Sequence, residues 1–275
     1  MIKDIFNEDK IISVKGLLKR YEDRVLIELT YKCPINCDFC YRKYRRSQSD
    51  YELSFEDIDK IIDFIAADQK INEVIFSGGE PLLKLDLLNY AMDKLSKLNN
   101  IKIFRIHTRA PVTKPNLVSK EFLRILNKKH RQVVYVSIHI NKINELTRET
   151  KNVITKMRKT GAILYSQSVF LKGFNDSVEE LRELFLGLLE NGVRPYNIYH
   201  CNKIDGNEKY IVSIEKEIEI MTELRRKISG LACPTLIFDI PGNANKIPAP
   251  NNFWDVNLKK IKDFDGSWLQ TRQLE

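Results

Sequence analysis

Short apolar runs alternate with amphipathic helical patterns along most of this 275-residue chain. Apolar runs of this length, bounded by turn residues, predict strands that are buried on both faces, as in a parallel sheet. Their alternation with helices predicts an α/β fold with helices outside the sheet, as a full eight-stranded barrel, a doubly wound sheet or a partial barrel. The predicted strands are Val25–Thr30, Val74–Ser77, Ile101–Thr108, Val133–Ile140, Ile163–Phe170, Tyr196–Cys201 and Thr235–Ile240.

Capping residues and glycines predict where the helices begin and end. A short polar side chain followed three residues later by an acidic one satisfies the first amide groups of a helix, and a glycine commonly follows the last turn. The boundaries predicted in this way are a start at Ser54-x-x-Asp57, a start at Asp176-x-x-Glu179 with an end at Gly192, a helix over Glu145–Thr160 ending at Gly161, and an end near Gly230.

Three cysteines, Cys33, Cys37 and Cys40, follow the first predicted strand in the spacing Cys-x3-Cys-x2-Cys. Three thiolates at this spacing suit an iron–sulfur cubane with one iron left open, whereas a closed structural zinc site needs a fourth ligand nearby. A partial zinc knuckle and three unrelated thiols are the alternatives. The spacing resembles the signature of radical S-adenosylmethionine (SAM) enzymes, in which the open iron of a [4Fe-4S] cluster binds SAM.

A glycine pair followed by a glutamate, Gly78-Gly79-Glu80, comes after the second predicted strand. Paired glycines let a backbone approach a ligand closely, and a carboxylate can accept hydrogen bonds from an ammonium group. Many strand–helix loops carry such a pair for geometric reasons alone. One β-α unit after the cysteines, however, the loop resembles the radical SAM element that binds the amino group of SAM, and the two motifs together disfavour zinc.

Two further segments have basic residues that suit a phosphorylated aldehyde cofactor. Arg20, Tyr21 and Arg24 precede the first strand, and two guanidinium groups with a phenol can bind a phosphate, although a solvated basic stretch is the alternative. Lys246 follows a loop of small residues after the last predicted strand. A desolvated lysine can form a Schiff base with such a cofactor, and an ordinary surface lysine is the alternative.

In chain order, these segments resemble the lysine 2,3-aminomutase family, whose members are radical SAM enzymes that also use pyridoxal 5′-phosphate (PLP). The resemblance extends from about Leu17 to Pro250 and implies the (β/α)6 partial barrel of radical SAM enzymes. It favours a single domain over residues 1–275, with a PLP-phosphate-binding lead-in at about 1–24 and a tail at about 247–275. The matching segments are Arg20–Val25, Arg105–Pro111, Ser166–Asp176, Arg194–Asn202 and Pro241–Lys246.

The resemblance assigns roles to individual residues. It implies that Cys33, Cys37 and Cys40 ligate the [4Fe-4S] cluster and that Gly78, Gly79, Glu80 and Gln167 contact SAM. It also implies that Lys246 holds PLP, that Arg20, Tyr21 and Arg24 bind its phosphate, and that Arg42 pairs with the substrate carboxylate. The implied activity converts an L-α-amino acid into a β-amino acid through a 5′-deoxyadenosyl radical.

The substrate side chain is expected to end at Asn202 and Asp239. Lysine-acting family members have two aspartates at these positions, whereas glutamate-acting relatives have lysine and asparagine. A buried carboxylate needs a cationic partner. We therefore expect a basic substrate such as lysine, arginine or ornithine to supply the partner of Asp239, with a small neutral amino acid as the next choice.

The chain also departs from the family pattern. Asp38 and Phe39 stand where the family has arginine and histidine, and Asn243, Ala244 and Asn245 interrupt the glycine loop before the lysine. Two alternatives therefore stay open. One is a radical SAM enzyme that modifies a protein or peptide lysine or another substrate, with or without PLP, and the other is a non-enzymatic iron–sulfur or zinc module.

Composition bears on the compartment and the partners. Five cysteines, three of them clustered, do not form a disulfide framework and indicate a reducing compartment, so we expect a cytoplasmic protein. Cys201 and Cys233 are expected to be buried. No apolar run reaches transmembrane length, and the start lacks signal-peptide features. The net charge is +8, but basic residues are scattered, so we expect an amino acid substrate and an electron donor such as flavodoxin or ferredoxin rather than nucleic acid. The oligomeric state is left open.

Overall fold

A computed structural model describes residues 4–48, 51–128, 130–242, 246–249, 254–255, 260–262 and 267–270. The interrupted loop at Asn243–Asn245 lies outside these residues. So does Asp265-Gly266, an Asp-Gly pair in the polar tail that predicts a hairpin turn. The strands are β1 (Ile12–Val14), β2 (Leu17–Leu18), β3 (Arg24–Glu28), β4 (Glu73–Ser77), β5 (Ile103–Thr108), β6 (Val133–His139), β7 (Ile163–Val169), β8 (Arg194–Tyr199), β9 (Thr235–Asp239), β10 (Lys246–Pro248), β11 (Trp254–Asp255), β12 (Lys260–Lys262) and β13 (Trp268–Gln270). The α-helices are α1 (Phe55–Ala67), α2 (Leu85–Leu95), α3 (Ala110–Thr113), α4 (Lys120–Leu126), α5 (Arg148–Arg158), α6 (Val178–Glu190) and α7 (Ile214–Lys227).

Strands β1 to β10 form one sheet in chain order. All neighbours from β3 to β9 pair in parallel, while β1–β2, β2–β3 and β9–β10 are antiparallel. At least one helix lies between each pair of parallel neighbours, which gives six β-α units followed by β9. Among the described residues, β1 and β10 are the two edges of this sheet. The structure therefore confirms the predicted (β/α)6 partial barrel and excludes the closed and doubly wound alternatives. A separate antiparallel sheet contains β11, β12 and β13.

The predicted strands agree with the structure to within about two residues at each end. Helix starts were predicted less well. Ser54 caps α1 through the expected capping box with Asp57. The start at Asp176 is wrong by one residue, because Ser177 caps α6 and accepts from the Glu180 amide, while Asp176 accepts from the Gly173 amide in the preceding turn.

The start predicted at Glu145 is also wrong. Residues Ile143–Glu145 form a separate 3-10 turn, and Thr147 then caps α5 by accepting from the Thr150 amide. The carboxylate of Glu145 also accepts from the amides of Asn141 and Lys142, which anchors that turn.

Among the described helices, none is both long and apolar enough to cross a membrane.

The apolar core lies between the sheet and the helices. Strand β5 shows the division: Phe104 and Ile106 are fully buried in the core, whereas Arg105 and His107 line a cavity on the other face of the sheet. Alternate side chains of a strand point to opposite faces. The helices thus cover one face of the sheet with apolar contacts and leave the inner face to polar side chains.

The glycine pair after β4 packs against the segment that leads to the cysteines. A Cβ atom on Gly78, where φ is +114°, would lie 2.4 Å from the Thr30 carbonyl oxygen, and one on Gly79 would lie 2.1 Å from that of Lys32. The amides of Gly79 and Glu80 donate to those same two oxygens at 2.7 and 3.0 Å. The close approach that glycine permits is thus made to the chain's own backbone, and it aligns the loops that follow β3 and β4.

A methyl group added at Gly79 should disrupt this contact. We expect Gly79→Ala to lower the free energy of unfolding by about 2 kcal/mol, because overpacking of a rigid backbone contact costs about that much. Gly230→Ala is the matched control, since its new Cβ atom would have its nearest neighbour at 4.0 Å. Urea unfolding measures both variants. Equal midpoints for the two would show that the contact has no such role.

Candidate active site

One cavity of about 390 Å³ contains every site residue predicted from the sequence. Arg24 is the first residue of β3 and Cys33 follows the end of that strand, so the cavity extends along the whole of β3. Residues at both ends of the barrel therefore face one cavity. The predicted residues that line it are Arg20, Tyr21, Arg24, Cys33, Cys37, Cys40, Arg42, Gly78, Gly79, Glu80, Gln167, Asn202, Asp239 and Lys246.

The three clustered cysteines form no disulfide, are half-buried and line this cavity. The Arg109 guanidinium donates a hydrogen bond to Cys37 Sγ at 2.7 Å, and burial raises the pKa of the Cys33 thiol. Among the described residues, no three His, Cys, Asp or Glu side chains are arranged around a point where they could share one metal ion. A cubane does not need such a point, because each thiolate ligates a different iron. Three thiols with no nearby fourth ligand fit a cubane with one open iron.

Glu80 is almost fully buried and ties the loop after β4 to the end of β5. One carboxylate oxygen accepts from Thr108 Oγ1 at 2.8 Å and from the Leu82 amide at 3.1 Å, and the other accepts from the Arg109 amide at 3.1 Å. Burial raises the pKa of Glu80, while these hydrogen bonds act to lower it. Its carboxylate thus positions the loop, and Gln167 on β7 faces the same cavity.

The predicted phosphate-binding residues lie at the amino end of β3. The Arg24 guanidinium stacks over the Tyr21 ring at 4.0 Å from its centre, and the Arg20 guanidinium lies 6.0 Å from the centre of the Phe6 ring. All three predicted residues are half-buried and line the cavity. Two guanidinium groups and a phenol at one end of a cavity fit a phosphate ester.

Arg42 faces the cavity and is already engaged by an acidic residue of the chain. Its Nε and Nη2 donate to the two carboxylate oxygens of Glu8 at 3.0 and 2.7 Å, and its Nη1 donates to Ser77 Oγ at 3.3 Å. Burial acts to raise the pKa of Glu8, but the Arg42, Arg45 and Arg20 guanidinium groups together outweigh it and hold that pKa below its usual range. The sequence did not indicate this partner, because Glu8 belongs to no motif.

Lys246 and Asp239 form an ion pair with each other. They are directly opposite in the β9–β10 pairing, and Lys246 Nζ lies 2.9 and 3.0 Å from the two carboxylate oxygens and 4.3 Å from the centre of the Tyr199 ring. The expectation that the substrate must supply the partner of Asp239 is therefore wrong, because the antiparallel strand β10 brings one from the chain itself. Asn202 lines the cavity nearby, and its carbonyl accepts from Asn207.

Two histidines in the cavity wall were missed. His107 lies two residues after Arg105 on β5. Because alternate residues of a strand point to the same face, this spacing predicts that His107 also faces the cavity. His139, on β6, has its pKa lowered to about 3 by burial and by Arg109, so it is a neutral imidazole at physiological pH. Burial also holds the pKa of His107 well below its usual range. These rings add polar groups to the cavity without adding charge.

A third missed histidine, His200, lines the cavity next to Cys201. Its Nδ1 lies 3.0 Å from both carboxylate oxygens of Glu217, a fully buried residue of α7 whose pKa is raised by burial. Cys201 and Cys233 are buried, as predicted.

Comparison with known proteins identifies the family. The model of the radical SAM superfamily matches residues 27–185, more than half of the chain. The chain is 35% identical over 260 residues to a putative L-lysine 2,3-aminomutase of Aquifex aeolicus, which covers 94% of this chain and 68% of that protein. This chain belongs to the lysine 2,3-aminomutase family of the radical SAM superfamily.

Other family members give the same result. The L-lysine 2,3-aminomutase of Clostridium subterminale is 37% identical over 92% of this chain, and the match spans 60% of that protein. A glutamate 2,3-aminomutase of Clostridioides difficile is 34% identical over 84% of this chain and 55% of its own length. The chain thus spans only part of the length of these relatives, and its relatives bear the names of two different substrates.

Solved structures support the fold alone. A structure of anSMEcpe with bound AdoMet and Cp18Cys peptide superimposes with a TM-score of 0.57 at 14% identity, over 73% of this chain and 58% of that one. A radical SAM methyltransferase from Sphaerobacter thermophilus gives 0.56 at 16% identity, over 81% and 68%.

The cluster assignment predicts a clear division among the five cysteines. Replacing Cys33, Cys37 or Cys40 with alanine should abolish most of the iron bound after anaerobic reconstitution, because a cubane held by three thiolates cannot lose one and keep its geometry. Cys201→Ala and Cys233→Ala are the controls and should retain wild-type iron. Iron and sulfide analysis measures all five variants. Loss of iron in Cys201→Ala with retention in Cys33→Ala would contradict the assignment.

Proposed function

We propose that this chain is a radical SAM, PLP-dependent 2,3-aminomutase that converts an L-α-amino acid into the corresponding β-amino acid. The observation that carries the proposal is that the cysteines, the glycine loop, the basic residues and Lys246 all line one cavity of about 390 Å³. Segments more than 200 residues apart in sequence supply these groups. A binding module for a cluster alone would have no use for a lysine and two arginines in the same cavity.

The residues of the cavity suit three groups. When bound, the cluster and SAM together supply radical chemistry, and PLP supplies a π-system that delocalises an unpaired electron. Cys33, Cys37 and Cys40 would hold the cluster, the Gly78–Glu80 loop and Gln167 would hold SAM, and Lys246 with Arg20, Tyr21 and Arg24 would hold PLP. The half-buried arginines fix the phosphate by charge and by paired donors.

The protein itself contributes orientation and exclusion of water. Two hydrogen bonds to Asp239 hold the Lys246 ammonium group on the cavity wall. The same ammonium group also contacts the Tyr199 ring. Glu80 fixes the end of β5, so the loop after β4 keeps its position relative to Arg109 and Cys37. Holding reactive groups in one geometry and away from water removes side reactions and lowers the entropic barrier.

We infer a basic substrate from the charges at the substrate end. Lys246 uses only part of the hydrogen-bonding capacity of the Asp239 carboxylate, which has about four acceptor sites. The Asp239 side chain is 12% exposed, so a cationic group of the substrate can lie beside Lys246 and share this carboxylate. A glutamate side chain would instead bring a like charge toward Asp239. We further propose a single functional unit over the whole chain, a cytoplasmic location in keeping with five cysteines that form no disulfide, and a flavodoxin or ferredoxin as reductant.

The PLP assignment is tested on Lys246. Lys246→Ala should lose the PLP absorbance of reconstituted protein, and borohydride reduction followed by peptide mapping of the wild type should find the adduct on Lys246. Lys209→Ala is a matched control, because Lys209 Nζ also lies over a tyrosine ring, at 4.9 Å from the centre of Tyr210, outside the cavity. A stable adduct on another lysine would contradict the assignment.

The activity and the substrate are tested together by an anaerobic assay of all proteinogenic amino acids, scored for β-amino acid products. We expect turnover of a basic amino acid, and we expect Asp239→Asn to raise its KM by about tenfold or more, because a hydrogen bond between charged groups contributes about 1.5–3 kcal/mol. The control is Asp63→Asn, at an exposed position of α1. PLP content is measured in both variants, since Asp239 also contacts Lys246.

Turnover of glutamate but of no basic amino acid would refute the substrate and leave the aminomutase activity standing. If no amino acid yields a β-amino acid while SAM is still cleaved, the activity itself is refuted.

A further inference from the structure

The segment at residues 4–11 joins the two sides of the partial barrel. The Ile5 carbonyl accepts from the Gly242 amide at 2.9 Å, and Asn7 Nδ2 donates to the Gly242 carbonyl at 3.0 Å. Gly242 belongs to the loop between β9 and Lys246. Residues Glu8–Ile11 then form a 3-10 turn that leads into β1, at the opposite edge of the sheet. This segment therefore places Glu8, the residue after Asn7, at the wall of the cavity.

Glu8 binds Arg42 with the geometry that a substrate carboxylate would use. Its two oxygens accept from Nη2 and Nε of one edge of the guanidinium at 2.7 and 3.0 Å, a bidentate pair. Only 4% of the Glu8 side chain and 11% of the Arg42 side chain are exposed. The remaining guanidinium nitrogen, Nη1, donates to Ser77. A second carboxylate cannot bind that edge while Glu8 occupies it.

The surrounding charges leave no surplus cation for a second carboxylate. Glu8 and Glu28 face Arg42 and Arg45 across distances of 2.7 to 3.6 Å, and Asp9 lies 3.2 Å from Arg45, so the acidic groups here are at least as many as the two guanidinium groups. A further buried anion would lack a partner, and burial of an unpaired charge is strongly unfavourable. Two other guanidinium groups that line the cavity are engaged as well, because Arg105 pairs with Glu73 and Arg109 pairs with Glu145.

We propose that Glu8 is a specificity-determining residue that competes with the carboxylate of the substrate for Arg42. The site then accepts an α-amine whose carboxyl group is an uncharged amide, as in the first residue of a peptide, at least as well as a free amino acid. The inference rests on the proposed function, because it takes the cavity to be the site where an amino acid binds.

Binding of L-lysine and L-lysinamide to the PLP-loaded, cluster-containing protein tests this proposal without turnover. The two ligands share the α-amine and the side chain and differ in the charge of the carboxyl group. Calorimetry should show that the wild type binds L-lysinamide at least as tightly as L-lysine. Glu8→Gln, which frees one edge of Arg42 from a charged partner, should shift the ratio of the two dissociation constants about tenfold or more toward L-lysine.

Two further variants keep the test decisive. Asp9→Asn removes the exposed neighbouring charge, which pairs with Arg45 rather than with Arg42, and should leave the ratio unchanged. Asn7→Ala cuts the tie of the segment to Gly242 and should shift the ratio toward L-lysine by a smaller factor. If Glu8→Gln does not fold, because Arg42 is left unpaired, the Asn7→Ala ratio decides.

A wild-type preference for L-lysine, or a ratio that does not shift, overturns the proposal, as does the absence of binding by either ligand in every variant. A shifted ratio without any β-amino acid product would support the role of Glu8 and refute the proposed activity. Formation of a β-amino acid with an unshifted ratio of dissociation constants would support the proposed activity and refute the role of Glu8.

Discussion

The backbone contact between the glycine pair and residues Thr30–Lys32 is the constraint on which the site depends. No side chain larger than hydrogen fits at Gly79, where a Cβ atom would lie 2.1 Å from a carbonyl oxygen. The contact locks the loop after β4 against the loop after β3, and Glu80, one residue further on, extends the connection to the end of β5. Three parallel strands therefore end in loops whose relative positions are fixed by hydrogen bonds. The cysteines are held at one end of the cavity by this arrangement.

Local patterns predicted most of this framework. Strand positions followed from apolar runs because each strand buries one face against the helices, even where the other face lines the cavity, as at Arg105 and His107. Helix starts were less certain because several polar residues near a start compete for the same amides. At α6, Asp176 and Ser177 both precede the first turn, and only the path of the chain after Gly173 decides which of them caps the helix. A capping motif in sequence thus locates a helix start to within one or two residues.

The site residues were predictable because each belongs to a motif, but their partners were not. The Glu8–Arg42 pair joins residues 34 positions apart through the folding of a segment that carries no recognisable pattern. The Asp239–Lys246 pair joins residues only seven apart, yet it depends on β10 turning back antiparallel beside β9, and the sequence showed neither that strand nor its register. Sequence patterns reveal the chemistry that a residue type can perform. They do not reveal which oppositely charged group of the same chain forms an ion pair with that residue in the fold.

The charges of the cavity limit which charged groups a ligand can bring into it. Three guanidinium groups that line the cavity are each paired with an acid of the chain: Arg42 with Glu8, Arg105 with Glu73 and Arg109 with Glu145. Such pairs keep buried charges compatible with a stable fold, because an unpaired one would cost several kcal/mol, about 3–5 when its partner is removed. A ligand can gain affinity from one of these groups only by displacing its internal partner. The identity and attachment of those partner acids, rather than the guanidinium groups themselves, therefore decide which charged groups a substrate can bring into the cavity.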